Sequence, residues 1–339
     1  IFSRKLQELM TDRLSKGQQT ILFLNRRGYA GFVSCRSCGE VMKCPHCDVS
    51  LSEHKGGRLI CHYCGYTQPM PKLCPKCGSK YILGFKAGTQ QIEEKLKELY
   101  PGVRTLRMDA DTTRTKDSYE KILSSFANGE ADVLIGTQMI VKGHDFPKVT
   151  LVGILAADLS LNASDYRAGE RTFQLLTQAV GRAGRGALPG EAVIQTYQPD
   201  HYAITCAAAQ DYESFYQEEI LYRELSGYPP VAHMLAVQIY GKEEENVKQL
   251  ALRLTDVVKS NMDFLSGKQK EQSNKKIQVL GPAPANISKI NDIYRYVFYV
   301  KHAEYDVLVE VKDRLEETLR QWQPRQMSIQ FDFDPVSVL

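Results

Sequence analysis

Eight of the nine cysteines fall between Cys35 and Cys77 as four Cys-x-x-Cys pairs: Cys35/Cys38, Cys44/Cys47, Cys61/Cys64 and Cys74/Cys77. Thiolates at that spacing bind metals or do redox chemistry. A disulfide framework marks a small secreted domain, and a chain of 339 residues is long enough to bury cores without one. In "CRSCG", "CHYCG" and "CPKCG" the second Cys precedes Gly, and in "CPHCD" it precedes Asp. Gly, and less readily Asp, takes up the left-handed backbone of a knuckle that turns both sulfurs toward one ion. Eight soft ligands make two tetrahedral S4 sites, with zinc the default occupant ahead of an iron–sulfur or redox centre. Such sites are closed, so their role is structural rather than catalytic. His46, His54 and His62 lie nearby, but eight cysteines already fill both sites, and the histidines are read as surface residues.

Spacing bears on the pairing. Five residues separate Cys38 from Cys44, which is tight for one site, whereas the thirteen between Cys47 and Cys61 suit a zinc-ribbon hairpin. A nested arrangement is favoured: Cys44, Cys47, Cys61 and Cys64 inside; Cys35, Cys38, Cys74 and Cys77 outside. Cys206 stands apart in a helical segment and reads as a buried structural thiol.

The elements around the cysteines alternate. Residues 2–16 read as a helix with Leu6, Leu9, Met10 and Leu14 on one face, followed by the strand "TILFLN". Beyond the cysteines come "YILG", a helix in "GTQQIEEKLKELYPG", the strand "VRTLRMD" and a helix in "KDSYEKILSSFANG". The strands "ADVLIGT", "VTLVGILAAD" and "GEAVIQTY" complete the set, with a helix over 168–183 before the last. This pattern predicts an α/β fold with a parallel, helix-covered sheet into which the metal module is inserted. A break at "RELSGYPP" is followed by β-α-β-β-α-β, a small α+β domain with both helices on one face. The run Tyr294, Arg295, Tyr296 and the lysines of "SGKQKEQSNKK" are compatible with nucleic-acid binding but read as sheet residues and a solvated loop.

Net charge of +3 permits nucleic-acid binding without arguing for it, and no signal peptide is visible. The longest apolar run, residues 150–160, is too short to cross a bilayer, so no membrane partner is expected. The chain starts at Ile1 inside a helical pattern, as expected of a fragment of a longer protein.

In parallel sheets ligands bind at the carboxyl ends of the strands. Three segments stand there: "GTQQ" (88–91), "IGTQMIVKGHDFP" (135–147) and "QAVGRAGRG" (178–186). The last is expected to carry Gln178, Arg182 and Arg185 on a helix, with two guanidinia at i and i+3 and small residues between them. Paired guanidinia suit a polyphosphate whose charge grows during transfer; the plainer reading is surface arginines in salt bridges.

"QAVGRAGR" resembles motif six of superfamily-two helicases, and "VLIGTQMIVKGHDFP" resembles their motif five, both on a RecA-like second lobe. "ILFLNRRGYAGFVSCRSCG", "GTQQIEEKL" and the eight-cysteine insertion narrow the resemblance to the PriA-type primosomal replication-restart helicases. It covers the whole chain and implies a RecA-like lobe over 1–34 and 78–225, a zinc-binding insertion over 35–77 and an α+β C-terminal domain over 226–339. It implies that Arg182 and Arg185 meet the ATP phosphates, one of them as arginine finger, and that Gln178 opens their motif. Gly143 and Asp145 approach the nucleotide in that family. Thr137 and Gln138 face the DNA backbone, Lys142 meets a phosphate, and Gly88 and Thr89 form a strand-end turn touching DNA. The resemblance assigns the cysteines to the same nested pairs.

The implied activity is that of an ATP-dependent DNA helicase, cytoplasmic and nucleoid-associated, that remodels stalled forks and starts primosome assembly. Implied cofactors are two structural zinc ions, with ATP and magnesium in the complete protein. Implied partners are forked or single-stranded DNA, the single-stranded DNA-binding protein, and other primosome and helicase-loading proteins. The sequence lacks a phosphate loop and an Asp-Glu magnesium motif, so the isolated chain is expected to lack ATPase activity. The alternative function is a zinc-dependent DNA- or protein-binding scaffold without a motor.

Overall fold

The computed structural model describes residues 1–24, 33–45, 50–54, 57–61, 65–84, 88–109, 112–113, 116–137, 140, 145–163, 165–260 and 276–336. Helix α1 (Arg4–Ser15) opens on Ser3, whose hydroxyl accepts from the Leu6 N–H, and leads into β1 (Gln19–Leu24). The short strands β2 (Val33–Cys35), β3 (Ser52–His54), β4 (Arg58–Ile60), β5 (Thr67–Pro69) and β6 (Ile82–Gly84) span the cysteine-rich region. Next come α2 (Thr89–Leu99), β7 (Thr105–Met108), α3 (Lys116–Ala127), β8 (Val133–Gly136) and β9 (Val149–Leu155). After them lie α4 (Asp158–Leu161), α5 (Ala168–Val180), β10 (Glu191–Ile194), α6 (Tyr202–Ala209) and α7 (Tyr212–Ser226). The chain continues through β11 (His233–Gly241), α8 (Glu244–Ser260), β12 (Gln278–Ile290), β13 (Ile293–His302), α9 (Tyr305–Trp322) and β14 (Met327–Phe333).

These elements form two compact units. One comprises Ile1–Val41, Lys72–Ala163 and Arg167–Tyr216; the other Met42–Pro71, Ser164–Tyr166 and Gln217–Leu339.

The first unit is built on a five-stranded sheet in the order β10-β9-β1-β8-β7, parallel throughout. Every residue of β1, β8 and β9 is buried, because helices cover both faces. Alternation along β1 sends Ile21 and Phe23 to one face, against Phe126, Phe173, Leu176 and Ala203. Leu22 and Leu24 go to the other, against Leu6, Met10, Ile92 and Leu96 of α1 and α2. Gly153 in β9 lets α1 sit close, since a Cβ there would lie 2.9 Å from Leu6 Cδ1. The sheet is the parallel, helix-covered sheet that the alternation of elements predicts, and it agrees with the RecA-like lobe that the resemblance implies. One strand leaves it. "YILG" supplies β6, which pairs antiparallel with β2 through Val33↔Gly84 and Cys35↔Ile82 as a neck where the insertion departs and returns.

The second unit holds a four-stranded antiparallel sheet, β12-β13-β11-β14, with α8 and α9 on one face. Val247, Leu250, Leu254 and Val258 of α8 and Leu308, Val311 and Leu315 of α9 close over Leu235, Val237, Ile239, Phe298 and Val300. A three-stranded ribbon, β3-β4-β5, belongs to the same unit. Its Gly65 lies beside β12: a Cβ there would stand 3.4 Å from the Pro282 carbonyl oxygen. No described helix is long and apolar enough to cross a membrane.

Candidate metal centre and strand-end site

Cys35, at the end of β2, and Cys38 meet Cys74 and Cys77 from the far end of the insertion. Their four sulfurs lie within 4.8 Å of one another. Cys35 Sγ to Cys77 Sγ and Cys38 Sγ to Cys74 Sγ are both 3.6 Å. Zn–S bonds of about 2.3 Å place tetrahedral sulfurs about 3.8 Å apart, so the donor set fits that ion. Each pair sits in the same knuckle. The Cys35 N–H donates to Glu40 O at 2.8 Å and the Gly39 N–H to Cys35 O at 2.9 Å. The Cys74 N–H donates to Ser79 O and the Gly78 N–H to Cys74 O at matching lengths. Gly39 and Gly78 have φ of +77° and +71°, the left-handed turn that their sequence position predicts.

The thiols are electrostatically unequal. Burial pushes Cys35 up, but the N–H groups of Ser37 and Cys38 and the neighbouring sulfurs outweigh it and leave it at about 6. The Glu40 N–H acts to lower Cys38, and burial and the three other sulfurs override it, raising that thiol to about 12. Four thiolates at this spacing require a cation among them.

Of the inner set, Cys44 and Cys61 are buried, while Cys47 and Cys64 lie outside the described residues, as do His46 and His62 and the side chain of His54. Cys61 repeats the knuckle bonds, its N–H to Tyr66 O at 2.8 Å and the Gly65 N–H to Cys61 O at 3.0 Å, with Gly65 at φ +77°.

The outer knuckle is seated on the parallel sheet's own loops. A Cβ on Gly39 would meet Tyr197 Cβ at 2.6 Å, and the Arg36 guanidinium stands 5.9 Å from the Tyr197 ring centroid. Asp158, buried and raised in pKa by that burial, accepts from the Thr196 hydroxyl at 2.9 Å and the Tyr197 N–H at 3.1 Å. Asp158 also lines a cleft of about 450 Å³ with Leu24, Leu155, Ile194 and Gln195. None of the residues singled out in the sequence lines that cleft.

The arginine segment differs from expectation in two respects: it stands beside the amino ends of β9 and β10 rather than the carboxyl ends of the strands, and its arginines are not on a helix. Helix α5 ends at Val180, so Arg182 and Arg185 lie in the turns that follow it and not at i and i+3 of a helix face. Gly181 caps the helix, and the Gly184 N–H leaves it to donate to Val149 O at the start of β9 (3.1 Å). Gly184 has φ +72°, which ends helical continuation. The two guanidinia still converge. Arg185 pairs through Nη1 with Asp145 Oδ1 and donates Nε–H to Gly181 O at 2.7 Å; Arg182 Nη1 lies 3.7 Å from the same Asp145 oxygen. Burial first and the Arg185 charge second lower the Arg182 pKa, with Asp145 opposing them. Gln178 is exposed on the last turn of α5.

At the ends of β7 and β8 the structure gathers a second polar group. Gly88 is the N-cap of α2, and its carbonyl accepts from the Ile92 N–H at 3.1 Å. Thr89 donates its hydroxyl to Asp109 Oδ2 at 2.6 Å, and Arg107 Nε approaches that oxygen at 2.9 Å. Thr137 directly follows β8, with its N–H on Met108 O at 3.3 Å. Gln138, Lys142 and Gly143 lie outside the described residues. Sequence reasoning missed Arg107 and Asp109. The available signal was the Arg-x-Asp alternation in "LRMD", which sends both side chains to the same side of β7 as α2.

Comparison with known proteins matches three stretches of the chain. Residues 73–187 match the helicase conserved C-terminal domain, residues 44–69 the PriA DNA helicase Cys-rich region domain, and residues 224–336 the primosomal protein N C-terminal domain. The Cys-rich match contains Cys44, Cys47, Cys61 and Cys64, and identifies a zinc-binding module. Replication restart protein PriA of Bacillus subtilis is 43% identical over all of this chain and 41% of its own length. The proteins of the same name from Synechocystis and Treponema pallidum are 41% and 35% identical over all of this chain, and it covers 40% and 50% of them. The chain thus spans half or less of the curated relatives it matches. With all three domain matches in this order and that identity along its full length, the chain belongs to the PriA family of replication restart proteins.

Proposed function

We propose that this chain supplies the second motor lobe, zinc module and C-terminal domain of an ATP-dependent DNA helicase that remodels stalled replication forks and initiates primosome assembly. The observation that carries the reading is the convergence of Arg182 and Arg185 on one oxygen of Asp145, in the loops that enter β9 and β10 at the amino edge of the parallel sheet. Two cations drawn together there suit an anion of high charge, and the ATP phosphates are the anion that a helicase lobe meets. In this reading Arg182 and Arg185 face the phosphates, with Gln178, Gly143 and Asp145 completing the nucleotide side. Gly88, Thr89, Thr137, Gln138 and Lys142 face the DNA backbone, where hydroxyls, an ammonium and the first N–H groups of α2 suit phosphate oxygens.

The proposed boundaries are 1–34 and 78–225 for the lobe, 35–77 for the zinc insertion and 226–339 for the C-terminal domain. Two zinc ions, one held by Cys35, Cys38, Cys74 and Cys77 and one by Cys44, Cys47, Cys61 and Cys64, would fix the insertion's shape. Magnesium-bound ATP would supply the phosphoryl group that the motor hydrolyses. Its cradle and metal ligands are not among the motifs of this sequence, so the chain alone is proposed to be inactive. The single-stranded DNA-binding protein and helicase-loading proteins are the proposed protein partners, in the cytoplasm at the nucleoid.

Arg185→Ala in the complete motor tests the reading. DNA-dependent ATP hydrolysis should fall by about a thousandfold, the range of an arginine finger, with DNA affinity kept. Unchanged hydrolysis would instead leave a zinc-dependent scaffold.

A further inference from the structure

The arginine pair is assembled around an anion that the chain itself provides. Arg182 is the least exposed member, with 13% of its side chain exposed, Arg185 is exposed at 40%, and Asp145 is open to solvent at 67%. The cations therefore sit at the base of the cluster and the carboxylate at its mouth. Two guanidinia reaching for one oxygen repel each other, and a negative charge between them offsets that repulsion. A carboxylate and a phosphoryl group present similar acceptor oxygens to a guanidinium fork. Arg185 is also tied to the Gly181 carbonyl through Nε, an attachment that does not depend on which anion its other nitrogens meet. The Asp145 contact is thus the exchangeable one.

We propose that Asp145 is a positioning residue acting through Arg182 and Arg185: an internal anion that keeps the two guanidinia assembled until a nucleotide phosphate takes its place. This rests on the nucleotide reading of the arginine pair given above. It differs from a direct nucleotide contact by Asp145 in the sign of its effect. A contact residue strengthens nucleotide binding, whereas a resident anion competes with it.

The probe is inorganic pyrophosphate titrated into this chain at low salt. Asp145→Asn removes the charge and keeps the side-chain shape, and should bind pyrophosphate about tenfold more tightly than the unaltered chain, while Arg185→Ala should bind it at least about tenfold more weakly. Equal or weaker binding by Asp145→Asn overturns the proposal. In the complete motor, Asp145→Asn should lower both the KM for ATP and kcat, since competition is relieved and the arginines lose their order. A raised KM with unchanged kcat would mark a direct contact and overturn it. The nucleotide reading fails by a different result, full ATP hydrolysis in Arg185→Ala, so the two failures are separable.

Discussion

Gly184 and Gly190 lie in backbone contact: a Cβ on Gly184 would stand 2.5 Å from the Gly190 nitrogen, and one on Gly190 2.2 Å from the Gly184 nitrogen. Gly186 is equally constrained, since its Cβ would lie 2.3 Å from the Pro147 carbonyl oxygen. These contacts close the loop that carries Arg182 and Arg185 and hold it beside the segment that carries Asp145.

Gly190→Ala should therefore push the two strands of that loop apart. Backbone opposes the new methyl, so no side chain can yield, and the expected cost is about 1–3 kcal/mol in urea unfolding of this chain. The complete motor carrying the change should lose ATP hydrolysis more than DNA affinity. A stability within error of the unaltered chain would contradict the contact.

Double cysteine variants separate nested from sequential pairing. With two zinc ions in the unaltered chain, Cys35→Ser with Cys74→Ser damages one site and leaves one ion under the nested arrangement. Cys35→Ser with Cys44→Ser damages both and leaves none. Sequential pairing reverses the two results. Atomic absorption on the purified variants reads the count directly, because a closed four-ligand site deprived of one thiolate binds far more weakly.

Asp109 joins α2 to β7, and its loss should loosen both. Asp109→Ala removes the acceptor of the Thr89 hydroxyl and the Thr112 N–H and leaves Arg107 only its longer pairing with Glu93 at 3.7 Å, with an expected loss of about 1–3 kcal/mol in chemical denaturation. Thr89→Ser keeps the donor at the same place and should stay within about 0.5 kcal/mol of the parent. DNA affinity should fall in Asp109→Ala and hold in Thr89→Ser.

Asp132 gives a pH signature. Burial acts to raise its carboxyl, and the Arg104 guanidinium at 2.5 Å together with the Arg104 N–H at 3.0 Å outweighs it, so its pKa in the folded chain is depressed. A depressed folded pKa adds stability above the unfolded carboxylate value, and that stability is lost as pH falls through the folded one. The advantage of the unaltered chain over Asp132→Asn should hold steady above about pH 5 and shrink below about pH 4. Thermal melts across that range check it; a gap that widens on acidification would be the wrong sign.

Local pattern carried most of the fold. The heptad-like placement of Leu6 and Met10, the buried run of β9 and the order of elements in the C-terminal unit are properties of short windows, and each is where the sequence puts it. The Cys-x-x-Cys-Gly knuckles were legible for the same reason. What escaped was non-local. "YILG" has the composition of a core strand, and only its pairing with β2 places it in the neck. The two arginines satisfy helical spacing, but Gly181 and the bond from Gly184 to Val149 end the helix first. Asp109 became visible as a site residue only when β7 and α2 brought it to Thr89.

The β2–β6 neck has a consequence for how this chain can vary. Because Val33 and Gly84 are paired neighbours, the insertion leaves and re-enters through one doorway. The entropy of a closed loop grows only with the logarithm of its length. Residues can therefore be gained or lost in turns between the two stem strands while β1 and α2 keep their places, so long as Gly39 keeps its seat on Tyr197 and Gly65 its place beside Pro282.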